Sequence, residues 1–554
     1  MQQAVNVGLR LSATARRDPD GVAVVEPTDR DSDGRRRYRQ VSYRQLSDDS
    51  DLIADGLRAM GVTPGTRLVL MVRPSIDFIS LVFALFKAGV VTVLVDPGMG
   101  RKNLVQCLEE VQPEGFVAIP IVHAIRSVLR RRFPKSRFHI TVGRRWFWGG
   151  ATLDQLRRRR LSPDYQPIAT QADDPAAIIF TTGSTGPPKG VLYQHGNFDK
   201  QVDELRDFYH VEEGEIDLPG FPLFALFNCA MGVTTVIPDM DPTRPAEVDP
   251  RNILEAAHDW KITQAFGSPA LWNTVGQYCE RNDIHIPTLR RVLSAGAPVP
   301  PHVLERMKNA IAPDGDVHTP YGATESLPVA SISATEVLGE TSAQAALGAG
   351  TCVGRRFPGI QWRVIRVVDG PLATIDEVEE VPRGEIGELI VRGDVVTRQY
   401  VTRQEANALH KIHDGDSIWH RIGDLGYLDD QERFWFCGRK AHRVLTSQGP
   451  MYTIPCEAIF NGHEHIYRSA LVGIGPAGSQ RPVIIVEPWP DHRPASDVAR
   501  EQLVEQLQSI ARSRALTERI EDVLIHPSLP VDIRHNAKIS REALAVWAAE
   551  QLGT

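Results

Sequence analysis

Between Phe180 and Gly190 the chain reads FTTGSTGPPKG. Four hydroxyl side chains (Thr181, Thr182, Ser184, Thr185) and two glycines (Gly183, Gly186) fall within six residues, and Lys189 follows. Glycine admits positive φ and close backbone approach. Hydroxyls and exposed backbone N–H groups can then wrap phosphate oxygens, with the lysine adding a positive charge. The segment is not a Walker-A loop. That loop needs Gly immediately before its Lys and Ser or Thr immediately after, whereas Pro188 and Gly190 occupy those positions. Gly, Ser and Pro also build plain tight turns, so the segment alone leaves phosphate cradle and turn both open.

The elements that must position such a loop are legible as alternating runs. LVLMV (68–72), VTVLV (91–95), GFVAI (115–119) and AAIIF (176–180) read as buried strands separated by helical stretches. This alternation predicts a mostly parallel sheet with helices on both faces. The apolar stretch 76–95 is interrupted by Asp77, Lys87 and Gly89. It reads as a buried helix, Ser75–Ala88, followed by a strand, rather than a membrane span. QWRVIRVV (361–368) and IGELIVR (386–392) read as strands of a smaller β-rich section. Near residues 437–442 the character changes, and a mixed segment follows with a charged helix (Ala499–Ala515) and a last helix after Ser540.

Bulk properties exclude several classes. At 554 residues the chain exceeds one compact core. Its net charge of −7 gives no reason to expect nucleic acid as a partner. The six cysteines (107, 229, 279, 352, 437, 456) lie at no metal-ligand or redox spacing. With no signal-peptide pattern at the N-terminus, a reducing cytoplasmic location is expected. The basic runs Arg35–Arg37, Arg130–Arg132 and Arg157–Arg160 read first as solvated faces and turns, with a contact to anionic lipid or a protein as the second reading.

The glycine-rich segment resembles the phosphate loop of the adenylate-forming superfamily, which spans acyl-CoA synthetases, nonribosomal peptide adenylation domains and luciferases. The resemblance continues in the family's order along most of the chain. SAGAP (294–298) is similar to the turn that lies against adenine, implicating Gly296, Ala297 and Pro298. YGATE (321–325) matches the family's YGxTE. It implies that Tyr321 stacks on adenine beside Gly322, that Thr324 contacts phosphate and that Glu325 holds Mg²⁺. WHRIGDLG (419–426) resembles the element whose aspartate, here Asp424, accepts from both ribose hydroxyls. The resemblance also implies Arg439 as the second ribose or phosphate contact. In VDIRHNAKI (531–539), Lys538 matches the lysine that bridges carboxylate and α-phosphate in the adenylation transition state. The resemblance implies an α/β fold with ATP and Mg²⁺ as cofactors. A large N-terminal domain (1–437) of helix-flanked β-sheets plus a small β-section would be closed by a small mobile C-terminal α+β domain (438–554).

Departures from the family pattern narrow the reaction. GFPLFALFN (220–228) is unusually apolar and implies a greasy acyl pocket from Phe221, Phe224, Ala225, Phe227 and Met231, although plain core packing serves the same residues. Ala441 stands at the hinge position, and SQGPMYTIP (447–455) replaces the element that places a thiol acceptor. The combination is similar to the β-lactone synthetases of bacterial long-chain olefin biosynthesis. That resemblance implies a long-chain 2-alkyl-3-hydroxy acid as substrate, adenylated by ATP, whose own hydroxyl displaces AMP. It also implies possible complexes with other enzymes of that pathway. Transfer to coenzyme A or a carrier protein, and a non-catalytic nucleotide-binding role, are the alternatives. His195 is a conceivable base for ring closure but reads better as a structural histidine.

Overall fold

The computed structural model describes residues 4–181, 187–221, 223–531 and 539–553, with the backbone alone at Pro97 and Ala225. Two large sheets are built as the alternation predicts. A seven-stranded sheet is ordered Ala151–Thr152, Phe138–Thr141, Gly115–Ala118, Arg67–Met71, Val91–Leu94, Pro175–Phe180, Gly190–Gln194. All of its pairings are parallel except the last, where the chain turns back from Phe180 onto Gly190. A nine-stranded sheet has parallel strands Arg291–Ser294, Gln264–Gly267, Ile216–Pro219 and Thr234–Val236 near its centre. The inner strands of the seven-stranded sheet are short, mostly apolar runs because both faces are covered, which is the condition for parallel pairing.

The stretch after Ser75 is a helix, Ile76–Lys87, with every residue but Asp77 buried. Ser75 caps it, its hydroxyl accepting from the Phe78 N–H at 3.1 Å. At twelve residues it is too short to span a bilayer, and no helix among the described residues is long and apolar enough to do so. Lys87 at its end is fully buried, and its ammonium is held 2.8 Å from Asp51 Oδ1.

The β-rich section is a six-stranded sheet in which Gln361–Ile365, Gly387–Arg392, Ser417–Leu428 and Phe434–Arg439 pair antiparallel. The strand ending at Arg439 still belongs to this sheet. A new hairpin begins at Val444, followed by a three-stranded sheet (Ile466–Ile474, Arg481–Pro488, Asp522–Ile525) with its own apolar core. The two sections meet through Arg443–Asp369 at 2.6 Å and Lys440–Glu388 at 3.0 Å. At Gly438, φ is +131°, and a Cβ there would lie 2.4 Å from Thr453 Oγ1. Glycine thus lets the helix Thr453–Asn461 approach the end of the hairpin.

Candidate active site

The loops that leave the carboxyl ends of the parallel strands open onto one cleft, as open α/β sheets favour. Its volume is about 3360 Å³. Thr181 follows Pro175–Phe180, Gly220 and Phe221 follow Ile216–Pro219, and Ala295–Pro298 follow Arg291–Ser294; all line the cleft. Gly296 has φ +97°, a conformation that suits glycine. Ser294 Oγ is buried on this wall with no hydrogen-bond partner among the described residues.

The glycine-rich segment lies between two antiparallel strands, Pro175–Phe180 and Gly190–Gln194. Thr181 N–H donates to the Lys189 carbonyl at 3.0 Å, and Lys189 N–H donates to Thr181 Oγ1 at 3.0 Å. These two bonds clip the base of the loop. Thr182, Gly183, Ser184, Thr185 and Gly186 lie outside the described residues. Lys189 lines the cleft, its Nζ 5.4 Å from the centre of the Tyr400 ring.

YGATE is a β-turn region, not a helix start. Tyr321, Gly322 and Ala323 end the strand Asp316–Ala323, and Ser326 begins the next antiparallel strand. Thr324 and Glu325 therefore sit at the tip of a hairpin, and both border the cleft. The tip is held from several sides. Tyr193 O–H donates to the Thr324 carbonyl at 2.6 Å. The Glu325 carbonyl accepts from Thr397 N–H at 2.9 Å and from Thr397 Oγ1 at 3.0 Å. Tyr400 O–H donates to Glu325 Oε1 at 2.6 Å. Segment 397–402 also bonds the return strand of the glycine-rich loop: Leu192 N–H to Gln399 O at 3.1 Å, Gly190 N–H to Thr402 Oγ1 at 2.8 Å. The return strand Gly190–Gln194, the hairpin tip and segment 397–402 form one hydrogen-bonded unit.

Behind Glu325 lies a layer of buried basic side chains. Lys411 Nζ donates to the Thr397 carbonyl at 2.5 Å and lies 5.5 Å from the Tyr400 ring centre. Burial pushes its pKa down to about 7. Burial also lowers His420 well below the usual imidazole value, and nearby Lys411 adds to the effect. None of Tyr193, Thr397, Tyr400 or Lys411 stands in a recognisable motif. They are found only through contact.

A second cluster joins Tyr321, Asp424 and Arg439. Asp424 accepts from Tyr321 O–H through Oδ2 and from Arg439 Nη1 through Oδ1, each at 2.5 Å. The Asp424 charge is the largest influence keeping the Arg439 guanidinium protonated. Burial raises the Tyr321 phenol far above its normal range, so it serves as a donor. The expected adenine and ribose residues thus touch one another across the cleft wall.

On the apolar wall stand Phe221, Phe224 and Phe227. Phe224 stacks on Phe266 at 3.6 Å between ring centres. The Ala225 side chain is outside the described set. Met231, one turn beyond Phe227, packs in the core and is not among the residues of the cleft wall. His195 is also core: fully buried, edge-on to Phe86 at 5.7 Å, with neither ring nitrogen bonded among the described residues and its pKa pushed by burial to about 4. It does not border the cleft. Lys538 lies outside the described residues; Val531 and Ile539 on either side of that segment line the cleft.

The described residues contain no cluster of three metal-ligating side chains. A single cleft carboxylate fits Mg²⁺ as that ion is used with nucleotides, where phosphates and water supply most of its shell.

Residues 11–401 match the family model described as AMP-binding enzyme, and the chain belongs to this family. Over its full length it is 46% identical to the olefin beta-lactone synthetase of Stenotrophomonas maltophilia, covering 99% of that protein. It is 44% identical to the olefin beta-lactone synthetase of Xanthomonas campestris, again across 100% of this chain and 99% of the relative. Among solved structures, the amide bond synthetase McbA of Marinactinospora thermotolerans superposes with a TM-score of 0.77 at 20% identity, over 98% of this chain and 99% of that one. The adenylate-forming fold expected from the sequence is the one observed.

Proposed function

We propose that this AMP-forming ligase is an olefin β-lactone synthetase that uses ATP and Mg²⁺ to close a long-chain 2-alkyl-3-hydroxy acid into its β-lactone. The full-length identity of 44–46% to two such synthetases carries the reading. The cleft supports it by joining an apolar wall to the Tyr321–Asp424–Arg439 and Glu325–Tyr400 clusters.

In the first step a carboxylate oxygen of the substrate attacks the α-phosphorus, a P–O bond forms and pyrophosphate leaves. Thr181, Lys189 and the loop between them contact the phosphates, and Asp424 with Arg439 holds the ribose. Glu325, fixed by Tyr400, would hold Mg²⁺, which neutralises phosphate charge when bound. Lys538, on a C-terminal unit (438–554) that closes over the large one, offsets the charge of carboxylate attacking phosphate.

In the second step the 3-hydroxyl oxygen bonds the acyl carbon, AMP leaves and the hydroxyl proton passes to solvent or phosphate. A hydroxyl held beside the acyl carbon has an effective concentration of roughly 10⁵ M or more, so no external thiol is needed. Phe221, Phe224 and Phe227 exclude water from the strained ring. The same reading includes contact with other enzymes of an olefin pathway.

The test is product analysis after incubation with ATP, Mg²⁺ and 2-alkyl-3-hydroxy acids, with and without coenzyme A. A β-lactone and AMP are expected irrespective of thiol. A thioester formed only with coenzyme A would overturn the reading. Lys538→Ala is expected to cut pyrophosphate release by about a hundredfold or more while ATP binding persists.

A further inference from the structure

Among the described residues, five of the thirteen exposed large apolar side chains fall within 27 residues of sequence. Ile121, Ile125 and Val128 (52%, 52% and 82% exposed) lie at i, i+4 and i+7 on the helix Pro120–Val128. That spacing forms one apolar stripe. Trp146 and Phe147 (52% and 75% exposed) stand on the following turn. The two parts share one surface. Buried Trp148 stacks on His123 of the helix at 5.6 Å and touches Trp146 at 5.3 Å and Phe147 at 5.1 Å.

This patch has a charge of its own. Between Glu114 and Asp154 the sequence holds eight Lys and Arg and no acidic residue, in a chain of net charge −7. Arg132 and Arg137 pair with Glu109 and Glu114 at the border. Arg130, Arg131, Lys135 and Arg144 are exposed, with no ion pair among the described residues. A protein interface core is depleted of charge. Exposed aliphatics with Trp and Phe, ringed by arginine, are the composition of segments that lie in the headgroup layer of anionic membranes. The helix also connects inward: Ile119 and Val122 line the cleft, while Ile121 and Ile125 face outward.

We propose that the helix Pro120–Val128 and the turn 143–149 dock this enzyme on an anionic phospholipid surface, with the mouth of the cleft beside the contact. Apolar side chains enter the acyl boundary and the arginines meet lipid phosphates. Binding is read without substrate, so it stands apart from the reaction assigned above.

The test is co-sedimentation of the full chain with phosphatidylglycerol vesicles and with pure phosphatidylcholine vesicles, at low and high salt. Wild type is expected to partition at least about tenfold better onto the anionic vesicles and to be released by salt. Trp146→Ser with Phe147→Ser, and separately Arg130→Gln with Arg131→Gln, are each expected to lower binding about tenfold with an unchanged melting curve. These side chains are exposed, so folding is not at stake. Wild type that ignores phosphatidylglycerol vesicles at low salt, or binding undiminished in both variants, overturns the proposal. So does an oligomer that collapses in the aromatic variant while vesicles are ignored, which would make the patch a protein interface.

Discussion

Two buried carboxylates in the six-stranded sheet have opposite surroundings. Glu388 pairs across from Leu425, one residue beyond Asp424. Because successive strand residues face opposite ways, Glu388 and Asp424 are turned to different sides. Glu388 is fully buried and accepts from Arg421 Nε and Nη2 at 3.2 and 2.6 Å, and from Lys440 Nζ at 3.0 Å on both oxygens. Arg421 spends its remaining donors on the Gly370 and Val368 carbonyls. That cluster is saturated and closed. Asp424 has one bond to each oxygen and borders the cleft. A carboxylate has about four acceptor positions, so Asp424 keeps capacity for two hydroxyls and Glu388 keeps none. Residual acceptor capacity on a cleft, rather than burial or charge, is what sets Asp424 apart from Glu388.

Four substitutions sharpen or break that contrast. Arg421→Met removes one partner of a closed buried pair and is expected to cost about 3–5 kcal/mol in denaturant unfolding, with nucleotide affinity of the folded fraction unchanged. Asp424→Ala is expected to do the reverse: kcat/KM for ATP falls about a hundredfold, or about 2.7 kcal/mol, with little change in unfolding. If the two variants show the same profile, the distinction fails. Tyr400→Phe keeps the ring but frees Glu325 Oε1. The Mg²⁺ concentration for half-maximal pyrophosphate release should rise about tenfold, as losing a ligand's outer hydrogen bond does.

The last effect is read as a change of stability with pH, at Asp217, which accepts from Asn228 Nδ2 at 2.6 Å and ties the helix Phe224–Met231 to the sheet. Burial raises its pKa from 3.8 to about 7. The folded state therefore binds the proton more tightly than the unfolded one. Below about pH 4 both states are protonated and nothing is lost; as pH rises from about 4 to about 7 stability falls, by on the order of 4 kcal/mol. Asp217→Asn lacks this titration. Its melting temperature relative to wild type should climb between about pH 4 and about pH 7 and level off above that, and a constant difference would refute the assignment.

Much of this was legible in the chain itself. The runs at 68–72, 91–95, 115–119 and 176–180 became parallel strands because a short apolar segment between turn residues has few other ways to bury both faces. Thr181 stood out through the hydroxyl- and glycine-rich segment, whereas Glu325, Asp424 and Arg439 were implied only by the resemblance of their surroundings to family motifs. Met231 did not follow Phe227 onto the cleft, whereas His195 is the structural core histidine that the sequence favoured. One turn of helix decides whether a side chain meets the cleft or the core, and periodicity does not fix that phase.

The sequence by itself determined which residue types could bind phosphate, ribose and cation, and in what order they occur. Local spacing sets backbone conformation and the chemistry on offer. Only the tertiary structure decided which charges are spent. Tyr400 reaches Glu325 across 75 positions and Arg421 reaches Glu388 across 33. Both are long-range pairings fixed by sheet register and packing. Their outcome separates a closed ion cluster from one still open to a ligand.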